Sequence, residues 1–342
     1  MTGLRAILCG VDGGGTGTRA LVLAGGEARG RGESGPGNPL AAGEEGVRVA
    51  VVEAVGEAAR EAGIETRAID VLGFGLAGAE ALGPRREGFA RSLGEVLGCP
   101  RTWIGSDLGA ALAGAFGGGP GILLAAGTGS SALGFDGGRV LRAGGWGPAL
   151  GDEGSARDLL RASARALLAL HDGFEQGDLE EPGFLPEGAG IPSWSGAFLE
   201  SLGLRDPSGL PGRFRQDVPA EALRAALEVL ARACSSGEPL ARALLDRSVR
   251  ALASLAEVLR RGLGEGIPIR LHGGMFRLLP GLRSGIEARL GCRFLGPTGG
   301  EEAARGAALC AAAHHRFPAG ESYLPLCEAL EAAFEVRDRR AR

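Results

Sequence analysis

The sequence predicts an α/β protein built from two related halves. Short apolar runs alternate with longer segments in which apolar residues recur at helical spacing, and this alternation is typical of α/β layers. An internal repeat indicates the two halves: residues 15–26 read GTGTRALVLAGG, residues 127–138 read GTGSSALGFDGG, and seven of the twelve positions are identical. Chance similarity between two glycine-rich hairpins is the alternative explanation. The 342 residues exceed what one hydrophobic core usually serves, so the length also favours two domains.

The elements are expected in the following order. Each copy of the repeat comes after an apolar run, at 6–11 and 121–126, which predicts a strand, a glycine-rich turn, a second strand and a second turn. Between the copies we expect a helix at 44–62, a strand at 68–76, a helix at 84–97, a strand at 101–105 and a helix at 108–116. After the second copy we expect helices at 154–170, 220–235 and 238–264, a strand at 267–271, a helix at 279–290, a strand at 293–295, and helices at 301–314 and 322–334.

We place the domain boundary near residue 116. The first domain then covers residues 1–116 and the second residues 117–320, with the C-terminal segment 321–342 packing back on the first. Residues 172–218 are rich in Gly and Pro, and they indicate an insertion or a lid in the second domain.

Composition excludes several functional classes. Hydrophobic residues make up 44% of the chain and charged residues 23%, which is too apolar for a disordered protein. The net charge of −4 argues against a nucleic-acid binder, and no apolar run approaches the roughly 18 residues of a membrane span. All 37 basic residues are Arg, which excludes the phosphate-binding lysine of Walker-A and protein-kinase sites. Because no signal-peptide pattern precedes Asp12, we expect a cytoplasmic protein without nucleic-acid or membrane partners.

The scarcity of Asn and Gln and the spacing of Cys and His are also informative. Asn occurs once and Gln twice, which suits a thermophile, although a nucleotide bias in the genome would have the same effect. The six cysteines form no C-x-x-C pair and are expected to be free thiols. No Cys or His spacing is typical of a zinc site.

The first glycine-rich turn, Gly13 to Thr16, predicts a phosphate-binding site. Successive glycines let backbone N–H groups approach an anion without interference from a Cβ atom. Asp12, at the end of the preceding strand, is placed to hold Mg²⁺ directly or through water. The turn is not a dinucleotide fingerprint, because a strand and not a helix follows it. An elaborate hairpin without a ligand is the alternative for one such turn.

The second copy of the turn contains Gly127, Thr128 and Gly129 and strengthens the prediction. Two such turns facing each other across a cleft would grip one triphosphate from both sides. Between them, Asp107 follows a short strand and begins a helix, where α/β sheets present functional groups. Its carboxylate is placed to accept the proton of an attacking hydroxyl. The alternative is a helix N-cap role at this boundary.

A third cluster, GGWGPALGDEGSA at 144–156, predicts a shaped polar loop before a helix. Asp152 is placed to bind sugar hydroxyls and Trp146 to pack on the wall of a pocket. The alternative is that Asp152 and Glu153 only complement the dipole of the following helix, and for Glu153 we accept that role.

Two shorter signals complete the candidate site. Asn38 precedes a proline and so predicts a turn, yet a side-chain amide suits a sugar hydroxyl. Gly273 and Gly274 follow another strand, which predicts either a simple turn or a close approach of the backbone to a flat ring.

In this order, the motifs DGGGTGT, SD, GTGSS, GGWGPALGDEGSA and LHGG resemble the N-acetylglucosamine kinase and BadF-type ATPase family, over about residues 7–315. That family belongs to the sugar kinase, actin and Hsp70 superfamily. The resemblance implies two ribonuclease-H-like, actin-like ATPase domains flanking a cleft for ATP and sugar, and it implies a homodimer as one arrangement.

The resemblance also implies roles for individual residues. Asp12 would match the Mg²⁺ motif and Asp107 the catalytic base. The phosphate and adenosine contacts of ATP would be Gly13, Gly14, Gly15, Thr16, Gly127, Thr128, Gly129, Gly273 and Gly274. The sugar contacts would be Asn38, Asp107, Gly145, Trp146, Gly147 and Asp152. Pro39 stands where mammalian members have His, so the choice of sugar stays open.

These roles lead to an expected function, ATP-dependent phosphorylation of an amino sugar. N-acetylglucosamine is the first candidate and its 6-phosphate the product, with glucosamine or another hexose as alternatives. A second reading is an ATPase that activates an iron–sulfur dehydratase or reductase, which would need paired cysteines, but no Cys occurs between Cys99 and Cys234. A third is a non-catalytic, sugar-sensing regulator that binds ATP.

Overall fold

Two β-sheets organise the computed structural model, which describes residues 6–176 and 185–340. Within these residues the strands are β1 (Ile7–Gly13), β2 (Thr18–Ala24), β3 (Glu27–Ser34), β4 (Val71–Leu76), β5 (Thr102–Ser106), β6 (Gly121–Ala126), β7 (Ser130–Phe135), β8 (Val140–Gly144) and β9 (Ile269–His272). The first sheet has the order β3-β2-β1-β4-β5 and the second has the order β8-β7-β6-β9.

The two sheets repeat one topology. In each, three consecutive strands form an antiparallel meander, and the first of the three then pairs in parallel with a later strand. These parallel pairs are β1 with β4 and β6 with β9. The sequence repeat therefore corresponds to the first hairpin of each sheet, as predicted, and the α/β class is confirmed.

Helices cover both faces of each sheet. Their bounds are α1 (Pro39–Glu61), α2 (Arg86–Leu97), α3 (Asp107–Phe116), α4 (Ala156–His171), α5 (Ser195–Ser201), α6 (Leu210–Arg213), α7 (Ala220–Ser236), α8 (Pro239–Leu263), α9 (Met275–Leu278), α10 (Pro280–Leu290), α11 (Gly300–His314) and α12 (Leu324–Arg340). Helices α1 and α2 cover the outer face of the first sheet, and α8 covers the outer face of the second, with α4, α7 and α10 packed on α8 in the same apolar cluster. Between the sheets lie α3 and α11, with α12 beside them, so one apolar cluster joins both sheets.

The backbone of α11 lies directly against the backbone of the first sheet and of α3. A Cβ atom on Gly10 of β1 would lie only 1.8 Å from the carbonyl oxygen of Ala304, and one on Gly73 of β4 would lie 1.9 Å from that of Ala307. Within α11 itself, a Cβ on Gly306 would lie 2.0 Å from the carbonyl oxygen of Ala110 in α3. Any larger side chain is excluded by these contacts, since protein interiors have no space to absorb it.

Several sequence expectations are corrected by the structure. No strand forms at 293–295, where only single backbone bonds reach β9, such as Leu295 N–H to the Ile269 carbonyl at 3.0 Å. Pro297 follows and has no N–H to extend a ladder. The helix expected at 44–62 is present and ends at Glu61; a short helical segment from Pro39 precedes it and joins it across Gly43, whose φ of +69° is not helical. Part of the segment expected as an insertion, 177–184, lies outside the described residues.

No helix within the described residues is both long and apolar enough to cross a membrane.

Replacement of Gly306 by Ala tests the close packing of α11. An Ala normally stabilises a helix interior by about 0.5–1 kcal/mol relative to Gly, but here the added methyl group meets the α3 backbone. We expect Gly306→Ala to lower the free energy of unfolding by about 1–3 kcal/mol, measured by thermal or denaturant unfolding.

Gly56→Ala is the matched control, because a Cβ atom at Gly56 of α1 meets nothing within 4 Å. It should leave the protein as stable or make it slightly more stable. If both substitutions stabilise the protein, the close contact between α11 and α3 does not exist in solution.

Candidate active site

The carboxyl ends of three parallel strands bring two acidic residues to the same edge of the first sheet. Asp12 is the penultimate residue of β1, and Asp107 directly follows the last residue of β5. Strand β4 runs between them, and its Gly75 is in register with both Asp12 and Gly105. The two carboxylates, predicted as metal-binding and catalytic groups, are therefore neighbours across one intervening strand.

Asp12 lies on the face of the sheet that α11 covers. The first residue of that helix, Gly300, is so near that a Cβ atom there would lie 2.8 Å from Asp12 Oδ2. Arg19 of β2 is the cross-strand neighbour of Asp12, and it also bonds Glu33 over 3.0 Å. Burial, and then the charge of Asp107, raise the pKa of Asp12 to about 7, while Arg19 lowers it. Two carboxylates in one partly dry site repel each other, and a cation between them would relieve that repulsion.

Asp107 is the first residue of α3, and Ser106 caps that helix in its place. The Ser106 hydroxyl oxygen accepts from the Gly109 N–H over 3.0 Å, so the predicted alternative of a capping role falls to Ser106. The Asp107 carboxylate accepts from the Leu108 N–H over 2.8 Å. Burial raises its pKa to about 6, although the Leu108 N–H lowers it.

The first glycine-rich turn presents a tip that packs against nothing. A Cβ atom on Gly15 would meet no atom within 4 Å, and Thr16 beside it is exposed. The base of the turn is held by backbone bonds: Gly14 N–H to the Gly17 carbonyl at 2.9 Å, and Gly37 N–H to the Gly14 carbonyl at 2.9 Å. The turn thus has a fixed base and an open tip, which suits a phosphate ligand.

The second turn is held against the start of α4. The N–H groups of Ala156 and Arg157 donate to the carbonyl oxygens of Gly127 and Thr128, at 2.9 and 3.4 Å. At Gly129, a Cβ atom would lie 2.6 Å from Asp152 Oδ2. The turn therefore adjoins Asp152, which the sequence placed in the sugar pocket.

Asp152 ties the second turn to the loop that carries Trp146. Its carboxylate accepts from the backbone N–H groups of Ser130 and Gly147, although burial on balance raises its pKa. Its backbone has φ +64°, an uncommon conformation for a residue other than glycine. Trp146 itself is 71% exposed. The alternative expectation was that Asp152 only complements the dipole of α4; in the structure its carboxylate instead accepts these two backbone hydrogen bonds.

Asn38 performs the turn role that the sequence offered. Its Oδ1 accepts from the Leu40 N–H over 2.8 Å and caps α1. It packs against Gly78, where a Cβ atom would lie 2.7 Å from Oδ1. The cap uses the carbonyl oxygen, so the Nδ2 group is the part suited to a sugar hydroxyl.

The predicted adenosine turn lies beside the second phosphate turn. Gly273 follows β9, the parallel neighbour of β6, and has φ +108°. A Cβ atom there would lie 2.3 Å from the Ala126 carbonyl oxygen, whereas one on Gly274 would meet nothing. His272 before them is paired with Thr298 over 3.0 Å, and burial lowers its pKa. This turn is therefore rigid and open on one side.

Two charged residues near Asp107 were missed by the sequence reasoning. Glu80 lies just after β4, and Arg142 lies in β8 of the second sheet, with 3.5 Å between Glu80 Oε1 and Arg142 Nη1. After burial and the Leu108 N–H, Glu80 raises the pKa of Asp107 and Arg142 lowers it. The position of Glu80 after a strand end could have marked it as a candidate site residue. Its pairing with Arg142, 62 positions away, could not be inferred from the sequence.

Together these interactions link four of the predicted site residues, Asp12, Asp107, Asp152 and Gly129, through the charge of Arg142. Asp12 is coupled to Asp107, Asp107 to Arg142, Arg142 to Asp152, and Asp152 contacts Gly129. Such an arrangement can place an anion on two glycine turns and a base near a hydroxyl. Across the described parts of the chain, no group of three or more His, Cys, Asp or Glu side chains could hold a metal ion.

The chain resembles known proteins over almost its whole length. A protein from Chromobacterium violaceum, provisionally named N-acetylglucosamine kinase, is 29% identical with a TM-score of 0.70, covering 89% of this chain and 98% of that chain. One of the same provisional name from Porphyromonas gingivalis is 21% identical with a TM-score of 0.65, covering 87% and 97%. ROK hexokinase from Thermus thermophilus is 22% identical with a TM-score of 0.51, covering 89% and 97%.

The similarities to the Porphyromonas gingivalis and Thermus thermophilus proteins, at 21% and 22% identity, concern the fold alone. No protein with a curated description matches the chain significantly. The family model of the BadF/BadG/BcrA/BcrD ATPases matches residues 9–311. The actin-like ATPase fold expected from the motifs is confirmed, and the chain belongs to the BadF/BadG/BcrA/BcrD ATPase family.

Proposed function

We propose that this chain is an ATP-dependent kinase of an amino sugar, with N-acetylglucosamine as substrate and its 6-phosphate as product. The observation that carries the proposal is the pair of acidic residues, Asp12 and Asp107, at one edge of the first of two sheets that repeat one topology with a glycine turn in each. The likeness to the Chromobacterium violaceum protein, at 29% identity, supports an amino sugar as the acceptor. The two lobes would be residues 1–116 and 117–320, with the cleft at the edge where Asp12 and Asp107 lie and 172–218 as a lid.

Asp107 acts as the general base in this proposal. Its carboxylate takes the proton of the 6-hydroxyl as that oxygen attacks the γ-phosphorus, in line with the departing ADP. The Leu108 N–H fixes the carboxylate through Oδ1, which keeps the base in place before the sugar arrives.

Asp12 fits a role in holding Mg²⁺ together with the nucleotide. Mg²⁺ commonly uses one or two carboxylates and completes its shell with substrate phosphates and water, so a larger protein cluster is not required. The raised pKa of Asp12 marks a carboxylate whose charge lacks full compensation. When bound, the ion supplies positive charge to the transferring phosphoryl group.

The backbone supplies the other contacts to ATP. The N–H groups of the first turn, Gly13 to Thr16, and of the second, Gly127 to Gly129, would bind the phosphates, because the chain has no lysine for this task. Gly273 and Gly274 would lie against the adenosine. Closure of the lobes would exclude water, which otherwise competes with the sugar as nucleophile.

The sugar would lie between Asn38, Asp107 and the loop of Gly145, Trp146 and Gly147. Asp152 would bind a hydroxyl with the oxygen lone pairs that its two backbone donors leave. The exposed Trp146 ring would stack on the sugar or its acyl group.

An ADP-release assay tests the function directly. We expect phosphorylation of N-acetylglucosamine in preference to glucosamine, N-acetylmannosamine, N-acetylmuramic acid and glucose. Asp107→Asn should lower kcat by about 10²–10⁴ while ATP still binds. No turnover with any of these sugars contradicts the proposed function, and near-normal turnover of the variant contradicts the base assignment.

The raised pKa of Asp107 predicts an acid limit on activity. A base must be ionised to accept a proton, and burial moves this ionisation from the usual carboxylate range to about pH 6. At saturating ATP and Mg²⁺, kcat/KM for the sugar should fall about tenfold per pH unit below that point. Activity that holds constant down to pH 4.5 would show that another group is the base.

Asp12→Asn separates a functional role from a structural one. Folding buries Asp12 and raises its pKa to about 7, so its ionised form destabilises the ligand-free protein above that pH. We expect the variant to lose activity yet to unfold at a higher temperature at pH 8. The difference should shrink as pH falls through 7 and vanish below about 4, where the unfolded carboxyl is also protonated. A variant that melts lower at pH 8 would contradict this account.

A further inference from the structure

We propose that Arg142 is a positioning residue that joins the two sides of the cleft and holds the sugar-binding loop in place. The inference rests on the proposed function, since it concerns the same site, but Arg142 and its partner Glu80 belong to none of the motifs that led to that function. It stands on three polar contacts and one steric contact.

The guanidinium group of Arg142 contacts both sides of the cleft. Its Nη1 lies 3.5 Å from Oε1 of Glu80, which follows β4 of the first sheet. Its Nη2 donates to the Gly145 carbonyl over 2.9 Å, and its Nε donates to the Gly144 carbonyl over 3.3 Å. One planar group therefore connects the first sheet to the backbone immediately before Trp146.

Backbone conformation, together with a steric contact, favours glycine before Trp146. A Cβ atom on Gly145 would lie 2.2 Å from Arg142 Nη2, so the guanidinium occupies the space that a side chain would need. Gly145 also has φ +71°, and Gly144 has φ +69°. The backbone there curls around the guanidinium and presents both carbonyl oxygens to it.

Arginine suits this position better than lysine. A guanidinium has five N–H donors in a rigid plane, so three acceptors in different directions can be bound at once, whereas an ammonium is a compact point charge. Arg142 is only 27% exposed and Glu80 is 32% exposed, so solvent screens this pair less than the fully exposed pairs of the surface.

The charges around Arg142 fit a site assembled from two sheets. Asp107 and Asp152 both lie within its field, and its charge favours the ionised form of each against the effect of burial. Glu80 acts in the opposite sense on Asp107, and Asp12 adds a further negative charge on the same side. Arg142 is thus a cation that balances acidic groups beside both sheets.

The test compares three variants with two controls. Arg142→Met removes both the positive charge and the planar set of N–H donors. Arg142→Lys keeps the positive charge but lacks the planar set of donors. Glu80→Gln keeps a hydrogen-bond acceptor but lacks the negative charge. Arg139→Met is the control from the same hairpin, since Arg139 pairs with Asp136 away from the cleft at 2.9 Å. Glu228→Gln is the control for an exposed helical pair, with Arg224 at 3.0 Å.

Two measurements are made on each protein. In steady-state kinetics, Arg142→Met should raise the KM for the sugar about tenfold or more while the KM for ATP changes less than twofold. In hydrogen exchange of the ligand-free protein, amides of residues 144–151 should exchange about tenfold faster, with the sheet cores unchanged. Arg142→Lys should behave nearly as Arg142→Met, Glu80→Gln should give a smaller change in the same direction, and both controls should match the wild type.

The two measurements separate failure of this inference from failure of the function. A wild type that phosphorylates no amino sugar refutes the function, while the exchange of residues 144–151 still decides whether Arg142 holds the loop. Unchanged exchange in Arg142→Met overturns the inference, and so does an equal rise in both KM values. If Arg142→Met unfolds, the kinetics and exchange of Arg142→Lys and Glu80→Gln decide.

Discussion

The close contact of α11 with the first sheet is the constraint on which the site depends. Gly10, Gly73 and Gly306 let the helix backbone reach strand backbone and α3 at distances that no side chain would permit. This contact carries the start of α11, at Gly300, to within reach of Asp12, although the two are far apart in sequence. It also makes α3 and α11 the shared layer between the sheets, so strands of both sheets pack on one apolar cluster.

A cost accompanies this placement. Asp12 and Asp107 are held in a partly dry environment, and burial raises the pKa of each, while the charge of Asp107 raises that of Asp12 further. Asp152 adds an uncommon backbone conformation. Local strain and unbalanced charge of this kind are typical of functional sites, where ligands supply the missing partners.

Much of the fold and site was readable from local pattern. Strand β6 and the long helix α8 were predicted almost to the residue, because their apolar periodicity is strong. Strands β3 and β8 were missed, since EARGRGES and VLRAG carry charges and glycines in place of apolar runs. The glycine turns and Asp107 were found from motifs that are local in sequence. The pairing of Glu80 with Arg142 and the approach of Gly300 to Asp12 arise only from tertiary packing, which no spacing in the chain encodes.

The location of α11 has a consequence for how this chain can be divided. By sequence the helix follows the second sheet, yet it covers the inner face of the first, where Leu8 and Val71 are buried. A fragment of the protein that ends after α3 would leave that apolar face exposed to solvent. The first sheet therefore depends for its inner covering on a helix that the later part of the chain supplies.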